Sequence, residues 1–255
     1  MTTALITGGT SGIGAAFARA LAARGTDLVL VARDSERLRR CADELIAAHQ
    51  VRVETITADL ADLADVEAVA ARLEDAERPV DLLVNNAGFG LHSGLLDPDW
   101  SIHQEALQVM CLAVLILGGA AGRAMKARGH GKIANISSLA SWIAQGHYSP
   151  VKAWVRSYSE GLAAELHNTG VSVTAVCPGW VKTEFHQRAG IRTSAIPGFV
   201  WVDVDRMAAK ALADIDAGKA ISIPAKRWKV AAFLARHAPR SAVGYVSRML
   251  ARSRA

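Results

Sequence analysis

The stretch GHYSPVKAWV, residues 146–155, carries a tyrosine and a lysine four positions apart. A phenol with an unperturbed pKa near 10 is almost wholly protonated at neutral pH, and it exchanges protons readily only beside a cation that favours its phenolate. Residues i and i+4 of a helix meet on one face, so Lys152 can serve as that cation for Tyr148. Bringing the phenol about three units toward neutrality takes roughly 4 kcal/mol of differential stabilisation. Taken alone, the pair reads better as a half-buried tyrosine and a surface lysine on an amphipathic helix.

Chemistry of this kind needs a scaffold to fix it. The chain has 255 residues and is 51% hydrophobic, enough for one α/β unit around a large core. Apolar β-rich runs (TALITGG, DLVLVAR, VRVETITA, VDLLVNNAG, GKIANISS, VSVTAVCPG, AISIPA) alternate with helical patterns over about 13–24, 35–49, 62–76, 98–128, 149–168 and 203–216. That alternation predicts a doubly wound Rossmann-type fold, an about seven-stranded parallel sheet with helices on both faces and function at the C-terminal strand ends. No repeat or linker divides it, so a single domain spanning 1–255 is expected. The first strand runs into TGGTSGIG, Thr7–Gly14, ahead of an apolar-periodic helix. Gly8 permits a tight turn, Gly12 lets backbone approach a ligand, and Gly14 lets helix and strand pack closely. The helix N-terminus then faces an anion, as in a pyrophosphate cradle.

Five motifs now stand in order: the Gly-x-x-x-Gly-Ile-Gly turn, NNAG at 85–88, NISS at 135–138, Tyr148-x-x-x-Lys152, and PGWVKT at 178–183. Over about residues 2–223 the chain resembles the short-chain dehydrogenase/reductase family. The resemblance implies a nicotinamide dinucleotide cofactor held by Gly8, Thr10, Ser11, Gly12, Ile13 and Gly14. It adds Asp59 and Leu60 at the adenine, Asn86 and Ala87 on the adenosine side, and Gly88 giving the backbone room. Pro178 and Gly179 are implied at the nicotinamide, with the Val181 backbone and Thr183 hydroxyl at the carboxamide. At the end of the second strand, where NAD enzymes of this fold carry an acid, stands Arg33, which suits the 2′-phosphate of NADP. Asp34 reads as a helix cap. Tyr148 would then donate a proton to a carbonyl as hydride arrives, Ser138 would bind that oxygen, and Lys152 would also hold the nicotinamide ribose. Ser137 is the weaker choice for the serine, because neighbouring strand residues face opposite ways.

Two features depart from the family pattern. Ser138 and Tyr148 are closer in sequence than usual, so the loop ASWIAQG is expected to be short and turned by Gly146. Met110 stands where many members carry an asparagine that supports a proton relay to the lysine, and a thioether cannot replace an amide there. Cys111 reads as a small core residue.

The stretch 184–202 reads as a substrate lid, and its Ile191, Ile196, Phe199, Val200 and Trp201 suit an apolar ketone, acyl chain or steroid-like alcohol. His186 in it reads as a substrate contact or a solvent-facing residue. From Lys226 to Ala255 every charged residue is basic, so this extension predicts amphipathic helices with a basic face, packed on the domain or weakly touching a membrane surface. Nothing else builds a basic groove, which argues against nucleic acid. No His, Cys or carboxylate spacing suggests a metal, and Cys41, Cys111 and Cys177 suggest no disulfide framework but a reducing cytoplasm. No signal peptide and no charge-free apolar run of membrane-spanning length is expected. The small residues of the 98–128 helix and the helix at Tyr148 suggest, by family analogy, a homodimer or homotetramer. An NADP-binding sensor or scaffold with little turnover is the alternative to an enzyme.

Overall fold

A computed structural model of the chain describes residues 2–91, 93–183, 198–239, 241 and 244. The strands are β1 (Thr3–Thr7), β2 (Asp27–Ala32), β3 (Val53–Thr57), β4 (Leu82–Asn85), β5 (Gly131–Ile136), β6 (Val171–Val176) and β7 (Ile221–Ser222). They form one parallel sheet in the order β3-β2-β1-β4-β5-β6-β7. The helices are α1 (Gly12–Ala22), α2 (Ser35–His49), α3 (Leu63–Glu74), α4 (Ser101–Leu107), α5 (Ala113–Arg128), α6 (Tyr148–Glu165), α7 (Val204–Asp216) and α8 (Lys226–His237).

Strand side chains alternate between the faces, so the strands read as near-continuous apolar runs feeding two cores. Leu5, Val29, Leu83, Ile133 and Val173 pack with α3, α5 and α6. Ala4, Ile6, Leu28, Val84 and Ile136 pack with α1, α2 and α7 on the other side. Because every strand runs the same way, the turns after β1 through β6 all emerge at one edge.

One element differs from expectation. The helix between β4 and β5 carries a π-helical turn, Gln108–Leu112, between α4 and α5. Together the three make a 28-residue helix, Ser101–Arg128, whose most apolar 18-residue stretch has mean hydropathy 1.8, long and apolar enough by length and composition to cross a membrane. That corrects the expectation that no such run exists, since residues 106–122 hold no charged side chain. In its most apolar window 61% is buried against the sheet and neighbouring helices, so core packing accounts for its composition. In α8, Trp228 is partly buried against the second core and Ala232 is buried, while Val230, Phe233 and Leu234 stay exposed. Its first turn has three cations and no acid, which opposes the helix dipole, so its place depends on that packing.

Candidate active site

The glycine turn is shaped first by the protein itself. Asn86 donates from Nδ2 to the carbonyls of Thr7 (2.9 Å) and Gly8 (3.2 Å), and the Thr7 hydroxyl accepts from the backbone of Asn86 and Ala87 at 2.9 and 3.0 Å. A Cβ on Gly14 would strike the Gly8 carbonyl and come within 2.5 Å of Asn86 Nδ2, so no other residue fits. Gly12 adopts φ +52, and a Cβ there would lie 3.4 Å from the Thr183 side chain. Ser11 precedes α1 without a side-chain capping bond, and the first turn has no acidic residue. The N-terminus therefore keeps its donors and positive dipole end for an anion, which is the condition a pyrophosphate needs.

Arg33 leaves the end of β2 at the rim, 3.5 Å from Glu105 and 3.9 Å from Asp59. Asp34 caps α2 by accepting from Arg37 N at 2.9 Å. Arg37, which sequence reasoning passed over, reaches back from α2 to donate from Nε to the Thr10 carbonyl at 3.1 Å. Its signal was its place one turn after Arg33 in the run ARDSERLRR. Asp59 closes a small turn by accepting from Ala61 N. Leu60 is buried in the core, which leaves only its backbone for an adenine ring.

Ser138, Tyr148 and Lys152 come from the exit of β5 and the start of α6. Ser138 caps a 3₁₀ turn, Leu139–Trp142, with its oxygen accepting from Ala140 N at 3.1 Å, and this leaves its O–H to donate. Ser137 turns inward, where its hydroxyl donates to the Lys152 carbonyl at 2.7 Å and so fixes α6 to β5. Gly146 turns the short loop at φ +52. Pro150 lies in the first turn of α6, where its missing N–H costs nothing. The Lys152 ammonium sits 5.7 Å from the centre of the Tyr148 ring and donates to the Ile136 carbonyl at 2.9 Å. Burial pulls its pKa down to about 8. Nearby Cys111 and Cys177 are pushed up by burial to about 11 and about 12, so neither supplies an anion. Met110 is buried in the π turn, with its sulfur facing Gly88 beside Lys152.

Pro178 is tied to the serine strand, since Leu139 N donates to its carbonyl at 3.0 Å. Gly179 faces the indole of Trp228 from α8. Val181 is buried and bridges Val202, which brings the end of the expected lid back to this loop. His186, Ile191 and Ile196 lie outside the described residues.

Sequence reasoning also missed a cavity of about 340 Å³ lined by Leu95, Trp100, His103, Gln104, Leu107 and His147, the residue just before Tyr148. His103 Nε2 lies 3.2 Å from the Gly94 carbonyl and so carries the proton. Its Nδ1 then accepts from His147 Nδ1 across 3.0 Å. Burial, and then His103, hold the His147 pKa below its usual value.

A parallel sheet in this order, a glycine turn before α1 and a tyrosine–lysine pair entering α6 define a dinucleotide-dependent oxidoreductase. Residues 2–192 match the family model described as short chain dehydrogenase, and the chain belongs to that family. It is 35% identical over 211 residues to a galactitol 2-dehydrogenase (L-tagatose-forming) of Cereibacter sphaeroides, covering 80% of each chain. Among solved structures it resembles a short-chain dehydrogenase from Sphingobium yanoikuyae in complex with NADPH, at 36% identity and TM-score 0.84, over 90% of this chain and 91% of that one. It also resembles the bulky-bulky ketone specific alcohol dehydrogenase from Comamonas testosteroni, at 31% identity and TM-score 0.80, over 94% of each.

Proposed function

We propose that this protein is an NADPH-dependent reductase of apolar ketones, working reversibly on the matching secondary alcohols. The observation that carries the reading is the buried Lys152 ammonium, anchored to Ile136 and set over the Tyr148 ring, with Ser138, two residues past Ile136, keeping its hydroxyl hydrogen to donate. Bound NADPH supplies the hydride. Ser138 donates to the substrate carbonyl oxygen and holds it, and Tyr148 gives that oxygen its proton. Lys152 retains a proton at pH 7, because its pKa of about 8 lies above that, and so stabilises the phenolate left behind. Its two further N–H donors serve the phenol and a ribose hydroxyl.

Arg33, supported by Arg37, receives the 2′-phosphate, and the Sphingobium relative's complex with NADPH agrees with that choice. An apolar ketone fits Leu95, Trp100 and Leu107 of the neighbouring cavity and accords with the Comamonas relative's name more than with the galactitol enzyme's. The active form is a homodimer or homotetramer. The cationic face of α8 makes at most a weak contact with anionic lipid. Co-sedimentation with phosphatidylserine vesicles tests that contact, and equal pelleting of Phe233→Glu and wild type would dispose of it.

The reading is tested by NADPH oxidation across a panel of carbonyl compounds. Wild type is expected to turn over apolar ketones, and Tyr148→Phe to lose roughly 10²–10⁴ of the rate with NADPH binding intact. NADPH binding without turnover on any ketone, unchanged by Tyr148→Phe, would favour a sensor or scaffold.

A further inference from the structure

Trp228 has no part in the proton and hydride machinery, yet the fold brings it to the same edge. Arg227 of α8 donates to the Trp201 carbonyl at 2.7 Å, and α8 packs on the 3₁₀ turn that follows Ser138. The Trp228 indole takes the space where a side chain on Gly179 would stand. Gly179 follows Pro178, whose carbonyl is bound by Leu139 N, so Trp228 closes over the joint between the serine strand and the Pro-Gly turn.

Its Nε1–H is shielded from solvent and has no hydrogen-bond partner among the described residues. An indole nitrogen only donates, and buried donors almost always find an acceptor. Replacing Trp228 by a purely apolar ring would have removed the unmet donor and kept the packing. The surroundings contribute one more unmet polar atom, the Ser141 hydroxyl oxygen of the same 3₁₀ turn. A donor left over beside the Pro178–Gly179 turn is one that a ligand bound at that turn can satisfy.

We propose that Trp228 is a positioning residue whose indole N–H donates to a carbonyl oxygen brought by the bound ligands. That oxygen belongs either to the nicotinamide carboxamide or to a second carbonyl on the substrate, as in a 1,2- or 1,3-dicarbonyl compound. The indole ring is held against Gly179 by α8. The proposal rests on the NADPH reductase reading.

Two measurements on full-length Trp228→Phe separate the sources. One is NADPH affinity by calorimetry, and the other is the ratio of kcat/KM for a dicarbonyl over a monoketone of the same carbon skeleton. Loss of one neutral hydrogen bond is worth roughly threefold to tenfold. A fall of that size in NADPH affinity with an unchanged ratio assigns the carboxamide. A fall in the ratio, carried by KM and with NADPH affinity intact, assigns the substrate. Wild-type values in both overturn the proposal. A wild type that binds NADPH but reduces nothing sinks the reductase reading instead, and the affinity comparison then decides the proposal alone. Should the variant fail to fold, the ¹⁵N-labelled indole resonance of Trp228 in wild type decides between the outcomes. A shift of that N–H on adding NADPH or the dicarbonyl supports the proposal, and an N–H unmoved by both overturns it.

Discussion

Burial lowers the Lys152 pKa from 10.5 to about 8, because the side chain is 5% exposed and the thiols near it stay protonated. The unfolded chain holds that proton up to the higher value. Below about pH 8 both states are charged and the folded state bears the whole penalty, roughly 3 kcal/mol for a shift of this size. Between the two pKa values the unfolded state binds more protons, so stability rises with pH and the penalty fades. Lys152→Met should therefore raise the stability of the cofactor-free protein at pH 7 by about 1–3 kcal/mol while abolishing turnover. Its advantage should vanish toward pH 10 to 11, and chemical denaturation across that range reads both. A second prediction belongs to Arg33, held at the rim between Asp59 and Glu105. Arg33→Asp would leave three acids facing the 2′-phosphate, so the preference for NADPH over NADH should fall by at least about tenfold. Because Arg37 remains, NADPH binding should weaken without disappearing.

Among the elements, the segment that follows β4 meets the π turn closely beside the lysine. A Cβ on Gly88 would lie 2.9 Å from the Met110 sulfur and 3.2 Å from its Cγ. Gly88→Ala must push a flexible side chain aside in a filled space and should cost about 1–2 kcal/mol. Met110→Ala alone should cost about 2–4 kcal/mol, and the double variant should recover about 1 kcal/mol relative to the sum. Strict additivity in thermal and denaturant melts would show that the two do not meet. The elements themselves were largely legible in the sequence, since strand runs such as DLVLVAR, buried on both faces, admit few other readings. Asp34 likewise declared its cap. The π turn was not legible, because Gln108–Leu112 carries no Pro or Gly and the apolar pattern passes through it unbroken. Trp228 was hidden for a different reason. A tryptophan among Lys226, Arg227 and Lys229 reads locally as part of a solvated amphipathic helix, and only the sheet's long-range closure shows that it faces Gly179. The cavity at His147 was missed likewise, since His103 and His147 meet only through the fold.

At the scale of the whole molecule, two exposed apolar strips differ in what could cover them. On α8, Val230, Phe233 and Leu234 are flanked by Lys226, Arg227, Lys229 and Arg236 with no acidic residue on the helix. Two copies meeting there would press like charges together, which opposes self-association. The other strip lies on the long helix and α6, where Leu112, Leu115 and Trp154 are exposed. Tyr158 stacks on Trp154 and donates to the Leu115 carbonyl at 3.2 Å, so the two helices present one continuous surface. Charge is sparse there: Leu112 and Leu115 lie in the charge-free run 106–122. Apolar area of this kind, with little charge in it, suits pairing with a second copy of itself. Wild type should therefore sediment as a dimer or tetramer at micromolar concentration. Leu115→Glu, which sets two carboxylates into a dry symmetric contact, should shift it to a smaller species. Phe233→Glu should leave the sedimentation coefficient unchanged, and the opposite ranking of the two variants would place the interface on α8 instead.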